Sequence, residues 1–331
     1  MAKKKQSKQV LKIIALLSVV SILALNVNAV GARDNFPDRP IAIICPFNPG
    51  GSTEIELRNL TPYLQKYLGK PVIIRILPGG GTTIGAAAAA KAKPDGYTLF
   101  VNVLPTTVLA QHLHNAPYNL ENFENVYGWS EAPMDVVVRA QSPYKTFAEL
   151  VQASKKKPLK AAISGIGSIS HLMTLLLEKY ADLKSQVVPY RGGGPSSAAV
   201  IRGDVDFLCG LSTTSVRFVR SGQIRQLAIL GSKPLEALAD TPTIYQLNYK
   251  DFPNIPFVRP VAATPGTPKG RVEILEAAFK KAVDDPGFIA VMEKQGRPIK
   301  RFSGEEIKKL VKETVKLSAE FMPIMRKSKQ E

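Results

Sequence analysis

The sequence predicts an α/β fold in which strands and helices alternate and the strands lie in parallel sheets. Three observations carry this expectation. Short apolar runs rich in β-branched residues alternate with segments whose leucines recur at helical spacing. Ser/Thr-x-x-Glu sequences stand where helices should start. Glycine-rich loops fall where a strand should end and a helix begin, the edge at which open α/β sheets bind ligands.

Taken in order, Ile41 to Cys45 reads as a strand and about Thr53 to Leu68 as a helix ended by Gly69. Thr53-x-x-Glu56 fits a reciprocal capping box, Leu57, Leu60, Leu64 and Leu68 form one buried face, and Pro62 should kink the helix. Pro71 to Ile76 is the next strand. Pro78-Gly79-Gly80-Gly81 then opens onto an alanine-rich helix reaching about Lys93, and Pro94-Asp95-Gly96 turns the chain into a strand at Tyr97 to Val101. Val136 to Val138 is a strand, and Thr146-x-x-Glu149 starts a helix to about Lys156. Ala161 to Ser164 is a strand followed by a helix from Ser170 to Tyr180. Gln186 to Pro189, Val205 to Leu208, Gln226 to Leu230 and Phe257 to Ala263 read as further strands. A helix over Lys269 to Val283 and a last one opened by Ser303-x-x-Glu306 close the chain.

The first 29 residues have a different character. Lys3, Lys4, Lys5 and Lys8 precede a run from Ile13 to Leu25 that is apolar apart from two serines, and Val27-Asn28-Ala29 offers small residues at signal-peptidase spacing. The run is short for a membrane span of about 20 residues. Cleavage after Ala29, or after Ala32, is therefore expected, with a soluble product and no lipid anchor, since no cysteine stands nearby. The formal charge is +17, and loss of five lysines leaves about +12. Such a surface attracts anions, but export argues against nucleic acid. Cys45 and Cys209 lie in separate apolar runs and read as free buried thiols, and three scattered histidines offer no metal-ligand spacing.

Three loops carry the candidate chemistry: Pro46 to Thr53, Pro78 to Thr83, and Ser164 to His171. Their glycines let backbone approach a ligand, their Ser and Thr add hydroxyls, and the helices they open present free N–H groups to a carboxylate or phosphate. The second is no nucleotide-binding P-loop, because no Gly-Lys-Ser/Thr follows. The third lacks the last glycine of a dinucleotide fingerprint. Ser168 near His171 raises the alternative of a secreted serine hydrolase, but there is no Gly-x-Ser-x-Gly and three residues apart is poor triad geometry. Binding without catalytic residues is the expectation.

In register along the chain stand Phe36-Pro37-x-Arg39-Pro40-Ile41, Pro46-Phe47-x-Pro49-Gly50-Gly51-Ser52-Thr53 with Arg58, Pro78 to Gly81 with Ile84-Gly85-Ala86, and Lys91-Ala92-x-Pro94-Asp95-Gly96-Tyr97-Thr98-Leu99. Ser164-Gly165-x-Gly167-Ser168-x-Ser170-His171-Leu172, Val188-Pro189-Tyr190-Arg191-Gly192, Pro242-Thr243-Ile244 and Pro265-Gly266-Thr267-Pro268 follow. Read together, these motifs resemble the substrate-binding proteins of tripartite tricarboxylate transporters, the Bug family. Glu54, Ile76 and Val258 to Pro260 depart from that pattern, which usually has Asp, Asn and Trp-x-Gly there.

The resemblance implies a fold like the type II periplasmic binding proteins, with two α/β domains joined by two crossover strands near Met134 and Val258 and a ligand cleft between them. The expected domains are 33–134 plus 259–331, and 135–258. It implies a periplasmic monomer, without cofactor, that hands a small organic carboxylate to integral membrane transporter subunits; an orphan sensor is the remaining alternative. The candidate ligand-binding residues are Phe47, Gly51, Ser52 and Thr53, then Gly80, Gly81 and Thr82, then Ser164, Gly167, Ser168 and His171, with Thr106, Ser212 and Thr213. The carboxylate is expected between the first two loops, held by backbone N–H groups and no lysine or arginine.

Overall fold

Eleven strands among the described residues divide into two sheets. The computed structural model describes residues 35–330, so the expected signal segment, residues 1–29, lies outside the described residues. The fold lies in the unit from Arg39 to Glu331.

The first sheet holds β1 (Ile41–Cys45), β2 (Val72–Ile76), β3 (Thr98–Val101), β4 (Glu124–Ala132), β10 (Phe257–Ala263) and β11 (Phe302–Ser303), in the order β11-β4-β10-β3-β1-β2. The second holds β5 (Met134–Arg139), β6 (Leu159–Ile163), β7 (Ser185–Pro189), β8 (Phe207–Leu211) and β9 (Ile224–Leu230), in the order β7-β6-β8-β5-β9. The strands β1, β2 and β3 run parallel, as do β6, β7 and β8. In contrast to the expected parallel sheets, both are mixed: β10 is antiparallel to β3 and β4, and β5 to β8 and β9. The antiparallel members lie where the chain passes between sheets. β4 ends at Ala132, and Pro133, which has no N–H to offer a ladder, separates it from β5 at Met134.

Among the described residues, ten α-helices pack on these sheets. They are α1 (Ser52–Leu68), α2 (Thr83–Ala90), α3 (Thr106–Leu113), α4 (Phe147–Lys156), α5 (Ile169–Ala181), α6 (Gly193–Arg202), α7 (Ser212–Arg220), α8 (Lys269–Val283), α9 (Pro286–Lys294) and α10 (Gly304–Gln330). Leu57, Leu60, Leu64 and Leu68 of α1 are all buried, as their spacing requires, and each buried leucine stabilises the fold by about 1.5–3 kcal/mol. Under the first sheet, Ile44, Phe100, Val108, Phe123 and Ile307 join one core; under the second, Val137, Ala162, Val200 and Leu208 join another.

One of the three capping boxes forms in full: Ser303 and Glu306 exchange bonds in both directions. In the second, Glu149 N–H donates to Thr146 Oγ1 at 3.2 Å, while the Glu149 carboxylate accepts from Lys145 N–H, one residue before the cap. The third does not form. The cap of α1 is Gly51, with no side-chain bond, and Gly50 N–H instead donates to Glu54 Oε2. Glu56 is withdrawn into the interior, because two arginines from distant segments reach it there. The alanine-rich helix is also shorter than expected and stops at Ala90. Cys45 and Cys209 are free and buried, on β1 and β8. Burial raises their thiols to about 11 and about 12.

Candidate functional site

A cleft of about 590 Å³ lies where the C-terminal ends of β1, β2, β6 and β7 open into loops that start helices. Its walls come from both sheets. Phe47, Gly51, Ser52 and Thr53 line it from the β1–α1 loop, and Gly81 and Thr82 from the β2–α2 loop. Thr106 lines it from the start of α3, and Ser164 and Ser168 from the β6–α5 loop. Gly80, Gly167, His171, Ser212 and Thr213 are not among the lining residues, although each adjoins one that is.

The second loop is held under strain. Gly79, Gly80 and Gly81 have φ of 123°, 56° and 64°, and Thr82 follows at 103°. Three glycines adopt the left-handed region freely; a β-branched residue there is an outlier that its surroundings must enforce. Thr82 N–H bonds Gly79 C=O at 3.0 Å, which closes the turn and fixes the threonine in the cleft wall. A side chain on Gly81 would meet His114 Nε2 at 3.4 Å and Ala110, not the cleft. Glycine is therefore needed at this position for its backbone conformation, and not to make room for a ligand.

Two hydroxyls in the wall have no protein partner. Thr82 Oγ1 and Thr106 Oγ1 are buried and unbonded among the described residues. A buried polar atom left unpaired costs about 1–3 kcal/mol, and both threonines belong to the cleft wall.

The third loop forms a hydroxyl chain. Ser170 Oγ bonds Ser164 Oγ at 2.9 Å and Ser168 Oγ at 2.9 Å, and accepts Ser164 N–H at 2.7 Å. Ser168 caps α5 by accepting His171 N–H at 3.3 Å. The imidazole turns elsewhere: His171 Nδ1 accepts Gly167 N–H at 3.3 Å. Burial pushes His171 down to about 4, so it is neutral at physiological pH. Ser168 Oγ is thus engaged by the Ser170 hydroxyl and the His171 backbone, and His171 Nδ1 by Gly167.

Loops of the two sheets meet across the cleft. Ser52 Oγ lies 3.3 Å from Thr213 Oγ1 at the start of α7, and Asn48 Nδ2 donates to Arg191 C=O at 3.1 Å. The second contact brings in the β7–α6 loop, where Tyr190, Arg191 and Gly192 to Gly194 line the cleft. Sequence reasoning matched Tyr190-Arg191-Gly192 as a motif but did not place it in the site. The Gly193-Gly194-Pro195 run hides a helix start, because its residues have low helix propensity.

Behind the β1–α1 loop lies a buried charge cluster that sequence reasoning missed. Glu56 Oε1 accepts Arg297 Nη1 at 2.9 Å and lies 3.3 Å from Arg259 Nη1, while Oε2 accepts Trp129 Nε1 at 3.2 Å and Ser130 Oγ at 2.7 Å. Arg259 is fully buried, and burial lowers it to about 10, opposed by Glu56; it remains protonated. Both arginines donate to Ser52 Oγ, Arg259 at 2.9 Å and Arg297 at 2.6 Å, and Arg259 Nε also donates to Thr53 Oγ1 at 3.3 Å. Two arginines therefore stand directly behind Ser52. The two came from β10 and the segment after α9, some 200 residues away in sequence, and no local pattern links them to Ser52.

Among the described residues, no group of three or more His, Cys, Asp or Glu is placed to hold a metal ion, and no helix is long and apolar enough to cross a membrane.

Residues 57–326 match the family described as tripartite tricarboxylate transporter family receptors. BugT of Bordetella pertussis is 30% identical over 288 residues, which cover 85% of this chain and 88% of that one. Among solved structures, MatC from Rhodopseudomonas palustris with bound malate is 29% identical with a TM-score of 0.80, covering 86% of this chain and 98% of its own. The periplasmic binding protein BugD is 27% identical with a TM-score of 0.77, covering 88% and 98%.

Proposed function

The chain belongs to the family of tripartite tricarboxylate transporter receptors, and from that premise we propose that it captures a small organic carboxylate in the periplasm and delivers it to integral membrane transporter subunits. The observation that carries the reading is the pair of buried, unpartnered hydroxyls of Thr82 and Thr106 in one cleft with the N-termini of α1, α2 and α5. Helix N-termini favour anions, and MatC, which shares this fold, holds an acid. The basic and apolar N-terminal segment, ending in Val27-Asn28-Ala29, supports export and cleavage.

The protein works as a monomer, without cofactor or nucleic acid. Its two lobes are 33–134 plus 259–331, and 135–258, and they close on the ligand. The carboxylate sits between the first two loops. Ser164 and Ser168 approach its far end. It is a receptor and not an enzyme: Ser168 caps a helix, and His171 Nδ1 accepts from Gly167 N–H.

A thermal-shift screen of small carboxylates tests this. A ligand at about 100 times its Kd adds about 2.7 kcal/mol to stability, which raises the melting temperature by several degrees. A screen with no stabilising acid, or ester turnover that disappears in Ser168→Ala, would overturn the reading.

A further inference from the structure

Ser52 has a hydrogen-bonding state that its neighbours dictate. A serine hydroxyl has two lone pairs and one proton. Both lone pairs are taken, by Arg259 Nη2 at 2.9 Å and Arg297 Nη1 at 2.6 Å. Neither guanidinium can accept a bond, so the proton of Ser52 must point away from them, toward the cleft and Thr213 Oγ1. A hydroxyl normally adapts to a donor or an acceptor; this one only donates.

The charge behind it is also fixed. Glu56 is the one carboxylate that either arginine contacts among the described residues, and its remaining oxygen is filled by Trp129 and Ser130. Two guanidiniums facing one carboxylate leave a net positive charge, enclosed where screening by solvent is weak. Ser52, Thr53 and Phe257 separate it from the ligand space, with the Arg259 guanidinium 4.8 Å from the Phe257 ring centroid. The charge can therefore attract an anion without forming a direct ion pair.

We propose that Arg259 and Arg297 are specificity-determining positioning residues that lock Ser52 as a proton donor and make the cleft select carboxylic acids over their amides. The inference rests on the reading of the cleft as a carboxylate site. An acid presents only acceptors and a negative charge to Ser52. An amide brings no charge, and its NH₂ group meets a donor.

The test is calorimetric titration of a panel of short linear, branched and aromatic carboxylates, each with its primary amide, into the wild type and three variants. The acid that binds wild type best, with its amide, is carried through the series. Arg259→Met should weaken acid binding at least about tenfold, which is about 1.4 kcal/mol, while amide binding stays within about threefold. Arg259→Lys, which keeps the charge, should retain most of the preference. Ser52→Ala, which removes the relay and leaves the charges, should also lose the preference, and it decides the matter alone if Arg259→Met does not fold. A general structural defect would weaken acid and amide together. If the acid binds wild type and the acid-to-amide ratio is unchanged in Ser52→Ala or in folded Arg259→Met, this inference falls and the carboxylate reading stands. If no acid binds wild type, both fall.

Discussion

Ser52 and Thr213 meet hydroxyl to hydroxyl at 3.3 Å, although one opens a helix on the first sheet and the other a helix on the second. Because Ser52 is held as a donor with one proton, Thr213 Oγ1 accepts it in the unliganded cleft and competes for it with a bound acid. A neutral hydrogen bond contributes about 0.5–1.5 kcal/mol. Thr213→Val keeps the shape and removes the competing acceptor. It should tighten the best carboxylate by about fivefold, because the Ser52 proton is then free for the acid, and move the unfolding midpoint little. Titration calorimetry and chemical denaturation together check this; unchanged affinity would show that Thr213 does not compete for the Ser52 proton.

Ser168→Ala should cost stability without abolishing any turnover. The hydroxyl caps α5 and belongs to the chain Ser164, Ser170, Ser168. Loss of a serine cap costs about 1 kcal/mol, which a denaturant midpoint resolves. Ligand affinity should fall by a few-fold as well, because Ser168 lines the cleft.

Local signals were legible and distant ones were not. The Leu57, Leu60, Leu64, Leu68 spacing and the Thr146 and Ser303 caps are fixed by neighbours within one turn, and they form as read. The loops of the first sheet announced themselves through glycines at the strand-to-helix edge. The strand β4 did not, because Glu124, Gly128 and Glu131 break its apolar pattern while Val126, Trp129 and Ser130 are buried. The helix α7 did not, because Ser212-Thr213-Thr214-Ser215 reads as a loop. Glu56 illustrates the limit: Thr53-x-x-Glu56 is a good local cap, and the carboxylate leaves it for Arg259 and Arg297, which only the folded chain brings near. A site in which charge is supplied by tertiary neighbours cannot be read from its loops.

Two buried titrating groups should oppose each other between pH 4 and pH 6.5. Burial raises Asp135 from 3.8 to about 6, although Gln226 Nε2 donates to its carboxylate. The native state then holds a proton the unfolded chain has lost, so stability falls as pH rises from about 4 to about 6. Burial lowers His171 from 6.5 to about 4. The unfolded chain holds that proton first, so stability falls as pH drops from about 6.5 to about 4. Each shift corresponds to roughly 3 kcal/mol, and the two slopes nearly cancel. Asp135→Asn should remove one of them, so that the variant gains roughly 3 kcal/mol from pH 4 to pH 6 where the wild type is nearly flat. Denaturant curves at a series of pH values read the difference; parallel profiles would show that Asp135 is ionised normally in the fold.

Glu56 should be the costliest of the three cluster charges to remove. Taking away Arg259 leaves Glu56 paired with Arg297 at 2.9 Å, a neutral pair with its carboxylate still bonded by Trp129 and Ser130. Taking away Glu56 leaves two guanidiniums, one fully buried and one nearly so, facing each other with no counter-charge. Removal of one member of a buried ion pair costs about 3–5 kcal/mol when a charge is stranded. Glu56→Leu should therefore destabilise by about that amount, and Arg259→Met by clearly less. The Glu56→Leu/Arg259→Met double variant should be more stable than the sum of the single losses predicts, because the second change relieves the repulsion the first creates. Chemical denaturation of all four proteins gives the cycle. Equal costs for Glu56→Leu and Arg259→Met, or strict additivity, would mean that the cluster is held by packing and that its charges do not balance one another.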